Sequence, residues 1–302
     1  MSNIEFLNNA HLGKNKPMNY FLTIVITIFG GSIAAIIFII LLMLIYLFIP
    51  GINAQTQFDN LGANPLLLLM LVGLVYGLYA LLFYLCIRFI HKKNFHILIN
   101  TGKKIKWKRI LIGAALWTGI MGAFTLLSLI FQGNSLSINF DYHSLVYLII
   151  LSLLVFPLQA SFEEVFFRGY LMQGISLIFK KPVVSLVLTT VIFASIHYFN
   201  GSSISNSISI VISAMILGLM LGVIVLGENG IETAVGVHIA NNFFVAVVLN
   251  SSDSGMGNLP SLITAQSTDP YSGIPLLLLM ALIALTILFW NKKSNISRIF
   301  HG

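Results

Sequence analysis

Eight stretches of this chain run for about 18 residues or more almost without charge: 21–49, 65–90, 110–131, 143–162 (running on towards 179), 182–199, 208–226, 231–249 and 273–290. At about 1.5 Å of rise per residue, a helix of that length crosses the roughly 30 Å hydrocarbon core of a bilayer. Inside lipid the backbone must satisfy its own N–H and C=O groups, which leaves only helices and closed barrels. Barrel strands are shorter and alternate apolar with polar residues, so these long runs exclude a barrel. Only 8% of the 302 residues are charged, against about a quarter in a soluble domain. That is too few to coat a water-facing surface. The expected fold class is all-α, a polytopic membrane protein of about eight transmembrane helices.

The cations fix its orientation. All 16 Lys and Arg fall at alternate connections: Lys14 and Lys16; Arg88 to Arg109; Arg168 with Lys180 and Lys181; and Lys292, Lys293 and Arg298. The intervening loops 50–64, 132–142, 200–207 and 250–272 hold none. Basic loops stay on the cytoplasmic side, so both termini are expected in the cytoplasm. The location expected is a cell membrane, read as a bacterial plasma membrane. The plan that follows has a cytoplasmic tail at 1–18, three helices in 19–142 with a basic loop at 91–109, and a core at 143–250. An outer loop, a last helix and a basic tail occupy 251–302. The net charge of +7 lines the cytoplasmic face, where anionic lipid attracts it; nucleic acid is not an expected partner. The single Cys86 lies within a span, so no internal disulfide forms. Oligomeric state is not legible.

Ionisable groups inside a span are costly and mark function by default. With loops and ends set aside there remain Glu163, Glu164, Arg168, His197, Glu232 and His238, with Asn241 and Asn242 beside the last. Glu164 and Arg168 are i,i+4 neighbours with the acid on the N-terminal side, the favourable order. Glu163 is turned by about 100° to another face, so an ion pair explains one carboxylate and leaves the other unpaired. His197, closing Phe193-Ala194-Ser195-Ile196-His197, is a weak signal alone, because a lone His near a helix end is more often structural. His238 and Asn242 share one helix face, and interhelical hydrogen bonding explains them equally well. Glu232, early in its helix, most simply complements the positive end of the dipole. Gly218 and Gly222 form a GxxxG, read as internal close packing rather than dimerisation.

Together the patterns converge. Lys180-Lys181-Pro182 marks a turn, and Glu163, Glu164 and His197 all lie about 25 Å from it along the arms of a helical hairpin. His238 stands about 13 Å up its own span. The two heights agree if the hairpin projects into the cytoplasm or tilts, which a kink at Pro157 permits. The expectation is one buried wet pocket, reachable from the cytosol, bounded by Glu163, Glu164, His197, His238 and Asn242.

The three motifs are EEVFFR at 163–168 (with FRG continuing at 167–169), FASIH at 193–197 and HIANN at 238–242. In that order on separate spans they resemble the EExxxR, FxxxH and HxxxN set of the CPBP family. These are the CAAX proteases and bacteriocin-processing enzymes, also called Abi or type II CAAX prenyl endopeptidase-like. The resemblance covers roughly 143–250. It implies an intramembrane endopeptidase acting on a membrane-associated protein or peptide, with Glu163, Glu164, Arg168, His197, His238 and Asn242 as its catalytic set.

Peptide hydrolysis needs an activated water, a proton route to the leaving amine and a stabilised oxyanion. Glu163, unpaired and away from bulk water, suits the general base. By similarity, Glu164 and Arg168 hold the helix turn, His197 orients the water or passes the proton, and His238 and Asn242 donate to the oxyanion. The cofactor is either none or one divalent metal. Two His on different helices, with Asn rather than a second His at i,i+4, depart from zinc-helix spacing and lean to a metal-free glutamate-activated water. Two other classes stand beside the protease. One is a non-enzymatic immunity or partner-binding protein that keeps these residues as a structural core. The other is a transporter using Glu163 as proton carrier, against which no repeat of broken helices is found. The substrate, prenylated or not, is not legible.

Overall fold

A computed structural model describes residues 2–47, 64–131, 136–139, 141–251, 254–265 and 269–300. After a short turn, α1 (Glu5–Asn8), the helix α2 (Pro17–Val25) continues through a π-turn at Ile26–Gly30 into α3 (Gly31–Leu47). Next come α4 (Pro65–Phe89), α5 (Trp107–Phe131) and α6 (Tyr142–Glu164), the last running through π-helical Val165–Leu171 into α7 (Met172–Ser176). Then follow α8 (Pro182–Ile196), α9 (Ile204–Glu228), α10 (Glu232–Phe243) with a π-turn at Phe244–Val248, α11 (Ile274–Phe289) and α12 (Lys293–Phe300). Every apolar run is thus helical where it is described. The chain is an all-α polytopic membrane protein. Among the described residues six helices are long and apolar enough to cross a membrane, or seven if the bent pair α11–α12 is one span. The expected connection at 50–64 lies, save Asn64, outside the described residues.

Helix ends follow local chemistry. Proline opens α2, α4, α8 and α11, where its missing N–H costs nothing. The Asn64 side chain accepts from the Leu66 and Leu67 amides at the start of α4, and Ser203 caps α9 through the Asn206 amide. Asn229, with φ 53°, ends α9 in the left-handed conformation.

The short helix α10 is the hub. Residues Glu232 to His238 are all buried, and α10 packs on α5, α6 and α9. Contact with α5 is backbone on backbone: a Cβ on Gly236 would strike the Ile110 carbonyl, and one on Gly113 the Thr233 carbonyl. The GxxxG works inside the chain as expected. A Cβ on Gly222 would strike Leu186 of α8, and one on Gly218 would come within 3.0 Å of Thr190.

The two ends of the bundle are closed differently. At the basic end the segments read as tails are folded: Phe6, Leu7 and Ile299 are buried, as is Leu98 in the connection before α5. The Phe6 amide donates to Asn229 Oδ1 (3.0 Å), Asn9 Nδ2 to the Ile97 carbonyl (2.9 Å) and Asn295 Nδ2 to the Gly227 carbonyl (2.9 Å). Lys93, read as part of a charged membrane face, is instead buried with Nζ donating to the Ala10 carbonyl at 3.1 Å. Burial pulls its pKa down to about 8. His91 beside it donates Nδ1–H to the Lys14 carbonyl (2.8 Å) and accepts from Tyr170 at Nε2 (2.9 Å). Burial also lowers the His91 pKa, with Lys93 pushing the same way. Glu232 lies here too, accepting from Asn100 Nδ2 and from the Lys106 amide. It staples a loop to α10, beyond the dipole role expected of it.

At the opposite end a small sheet joins the connections that lack cations: β1 (Leu136–Ile138), β2 (Leu249–Ser251) and β3 (Ile263–Ala265), ordered β1–β3–β2. β1 is antiparallel to β3, with Leu136 opposite Ala265; β2 is parallel to it, with Leu249 opposite Ile263. Strands of three residues fall below what an alternation pattern reveals.

Candidate active site

The last α-helical turn of α6 supplies Glu163 and Glu164, and the helix then widens to π over Val165–Leu171. Such π-segments often accompany functional sites. Here the widened turn carries Arg168, 1% exposed. Its Nη1 donates to Glu164 Oε1 at 2.7 Å, its Nη2 reaches the Gly218 carbonyl at 3.4 Å, and the guanidinium lies 4.2 Å from the Phe193 ring centroid. The expected i,i+4 pair is present and wholly buried. A buried ion pair is tolerable only when further hydrogen bonds satisfy it, and here one comes from the hub helix. His238 Nδ1 lies 2.7 Å from the same Glu164 oxygen. An ionised carboxylate only accepts, so Nδ1 carries the proton, and in the neutral ring Nε2 is left as a lone pair.

Glu163 departs from the expectation that it stands unpaired. Tyr76 of α4 donates its hydroxyl to Glu163 Oε1 at 2.5 Å, and Gln159, one turn earlier on α6, donates Nε2 to the same oxygen at 3.2 Å. The other oxygen, Oε2, is buried with no hydrogen-bond partner among the described residues. It faces His238 Nε2 at 3.7 Å. One imidazole therefore bridges the two glutamates, hydrogen-bonded to Glu164 and in close approach to Glu163. Two acceptors at that separation call for a shared donor: a proton on the ring, or a water donating to both.

His197 and Asn242 belong to the same cavity, but neither is hydrogen-bonded to a glutamate among the described residues. His197 closes α8 and its Nδ1 engages the Phe193 carbonyl of its own helix at 2.7 Å, which leaves Nε2 as the acceptor. The Phe193 ring spaces the two imidazoles, 4.7 Å from His197 and 6.1 Å from His238 between centroids. Asn242 accepts from Asn241 Nδ2 at 3.2 Å, and Asn241 is held by Trp117 Nε1 at 3.1 Å. That chain orients the Asn242 amide with Nδ2 as its donor end. Among the described residues no group of three or more His, Cys, Asp or Glu is disposed to hold a metal ion. The oxygen of Glu164 closest to His238 is already occupied by Arg168.

Tyr76, Gln159, Glu163, His197, His238 and Asn242 line a cavity of about 770 Å³; Glu164, expected to bound it too, is instead sealed behind His238 with Arg168 and is not in its wall. Its wall continues along Leu69 and Val72 of α4, Phe156 of α6 and Ile210 and Ala214 of α9. At its far end stand Asn200, Gly257, Asn258, Ser272 and Gly273, all exposed. The cavity reaches none of the basic connections, contrary to a pocket open on that side. Another hollow, about 300 Å³ at Tyr84, Arg88 and Lys92 to Phe95, shares no lining residue with it.

Residues 142–244 match the family model described as type II CAAX prenyl endopeptidase Rce1-like. The likeness to that family spans this segment. It contains both glutamates, Arg168, both imidazoles and Asn242, whereas Tyr76, which holds Glu163, lies outside it. Over 287 residues the chain is 25% identical to the uncharacterized protein YyaK of Bacillus subtilis (strain 168), covering 95% of this chain and 96% of that protein. No solved structure matches. The Rce1-like segment is the part with a family likeness, and the first helices complete its site. No sequence pattern marks Tyr76 or Gln159, because a Tyr or Gln in an apolar span is unremarkable by composition.

Proposed function

We propose that the protein is an intramembrane endopeptidase in which Glu163 is the general base that activates water. The observation carrying this reading is the pair of acceptors, Glu163 Oε2 and His238 Nε2, 3.7 Å apart at the base of a cavity. A water between them donates to both and has its lone pairs free for a peptide carbonyl carbon. As the C–O bond forms, Glu163 takes one proton. His238 accepts it at Nε2 and becomes an imidazolium held by Glu164. This is the division of labour of an oriented imidazole in a catalytic triad. Arg168 holds Glu164 in place by donating to its Oε1 at 2.7 Å. Nε2–H then delivers the proton to the leaving nitrogen as the C–N bond breaks. Asn242 Nδ2 donates to the oxyanion, and His197, with Nε2 free to accept, orients the substrate backbone or the water. Tyr76 and Gln159 hold Glu163 by the oxygen that does not react.

The test uses purified protein in vesicles with a library of uncharged apolar peptides in 18O-enriched water, read by mass spectrometry. Cleavage should leave one heavy oxygen in each new carboxylate. Loss of a positioned general base costs about 10²–10⁴-fold, so Glu163→Gln and His238→Ala should each reduce cleavage by that order while folding normally. Equal cleavage by Glu163→Gln would refute the reading. Replacement of His197 or Asn242 should reduce cleavage less, because neither holds the proton.

A further inference from the structure

We infer that substrate reaches Glu163 from the face of the membrane opposite the basic connections, the extracytoplasmic face, as an uncharged apolar stretch within a longer polypeptide. The word substrate rests on the endopeptidase reading; the route does not.

The route follows from which elements close the bundle. At the end carrying Lys14, Lys93, Lys103 and Lys181, three separate segments plug the helices: residues 2–12, the connection 90–104 and α12. Their apolar side chains Phe6, Leu98 and Ile299 are no more than 1% exposed. A Cβ on Gly169, one turn beyond Glu164, would strike the Leu98 carbonyl, so backbone lies on backbone beneath the glutamates. The hollow at this end, about 300 Å³ at Tyr84, Arg88 and Lys92 to Phe95, has neither glutamate nor His238 in its lining, whereas the cavity holding Glu163 is lined up to the exposed Asn200, Asn258 and Ser272 at the other. All 16 cations avoid the connections of that other end, and positively charged connections are retained in the cytoplasm. Joined together, the two facts place the mouth outside. A chain already moved across the membrane, or one anchored with its outer segment free, meets the site; a chain confined to the cytosol does not.

The wall chemistry selects the segment. Along the cavity the described lining residues include no Lys or Arg, and their ionisable groups are Tyr76, Glu163, His197 and His238. Leu69, Val72, Phe156, Ile210 and Ala214 offer apolar surface, while Ser213 offers a hydroxyl to a peptide backbone; that of Ser209 donates to the Pro270 carbonyl. A free terminal carboxylate entering this space would be stripped of water with no cation to receive it, a cost that only pairing offsets. An interior stretch bears no such charge.

Sidedness is measured with thiol labelling on the full chain, independently of activity. In a Cys86→Ala background, single cysteines replace Asn258 at the rim, Ser213 in the wall and Lys103 at the basic end. The probe is a methanethiosulfonate bearing a trimethylammonium group, which does not cross bilayers. Asn258→Cys and Ser213→Cys should be labelled in intact cells and unlabelled in sealed inside-out vesicles, with Lys103→Cys the reverse. Ile210→Cys serves as the wall position should Ser213→Cys not insert. Labelling of the wall thiol from inside-out vesicles overturns the inference. So does a wall thiol reactive in detergent but protected from both faces, or Lys103→Cys and Asn258→Cys reacting from the same side. Because labelling needs no catalysis, a wall thiol labelled on the wrong face would leave the role of Glu163 intact. Loss of that role would equally leave the labelling pattern intact.

Discussion

Arg168 lets the energetics of the site be tested without any substrate. Its guanidinium is 1% exposed and donates to Glu164 Oε1 at 2.7 Å. Arg168→Met keeps most of the side-chain volume and removes the charge, leaving a carboxylate sealed in the bundle with His238 as its one hydrogen-bond donor. Removing one member of a buried pair costs about 3–5 kcal/mol, chiefly because the other charge stays desolvated. His238 can take up a proton and neutralise part of the deficit, so the lower end of that range applies. About 3 kcal/mol corresponds to a roughly 100-fold loss in the folded-to-unfolded ratio. The assay is unfolding of purified protein in mixed micelles titrated with sodium dodecyl sulfate, followed by Trp fluorescence, since Trp117 is wholly buried. Glu164→Gln in the same chain removes the stranded charge, so the double variant should regain more than half of what Arg168→Met loses. Arg168→Met as stable as wild type, or a double variant equal to the sum of the two singles, would refute the reasoning.

Other outcomes follow from single contacts. Tyr76→Phe removes the 2.5 Å hydroxyl from Glu163 Oε1; a hydrogen bond to a charged group is worth about 1.5–3 kcal/mol. Its kcat in the peptide assay should therefore fall roughly 10- to 100-fold with KM unchanged, and an unchanged kcat would leave Tyr76 without a part in positioning. Gly236→Ala drives a methyl group into the Ile110 carbonyl. Overpacking costs about 1–3 kcal/mol, so the thermal midpoint should drop, whereas Gly119→Ala, with nothing within 4 Å, should leave it unmoved. The docked N-terminal segment should loosen in acid. His91 has a lowered pKa, so the unfolded segment binds the extra proton first, and stability is lost as pH falls from about 6.5 towards the folded value. Lys93, lowered to about 8, acts in the same direction higher up, its docking strengthening as pH rises from about 8 towards 10.5. Amide-exchange protection of residues 2–12, corrected for intrinsic rates, checks both, and the acid step should vanish in His91→Gln.

Much of the fold was legible because lipid permits so few solutions. Long apolar runs could only be helices, and the spacing of Glu164 and Arg168 could only bring them together on one. The GxxxG was legible for a similar reason, since small residues at one face admit a neighbouring backbone. What escaped depended on tertiary placement. Tyr76 comes from a helix some 90 residues before Glu163, and nothing in its neighbourhood distinguishes it from other aromatic residues in spans. That His238 shares a pocket with the glutamates is legible from the motifs, but its hydrogen bond to Glu164 and close approach to Glu163 are not. The burial of Lys93 and the folding of both terminal segments were equally hidden. Charge patterning reports the side of a loop and not whether the loop packs. Which residues line the cavity depended on those same segments, and its wall runs to the connections without cations rather than to the basic ones.

Glu163 is the residue on which the functional account turns, and its replacement in cells is the most direct measurement. Membrane and secreted polypeptide termini are compared between cells expressing wild type and cells expressing Glu163→Gln at equal folded levels. The account predicts a defined set of new termini, within uncharged apolar segments, that is present with wild type and absent with Glu163→Gln. Indistinguishable termini from the two strains, both differing from a strain lacking the protein, would contradict it.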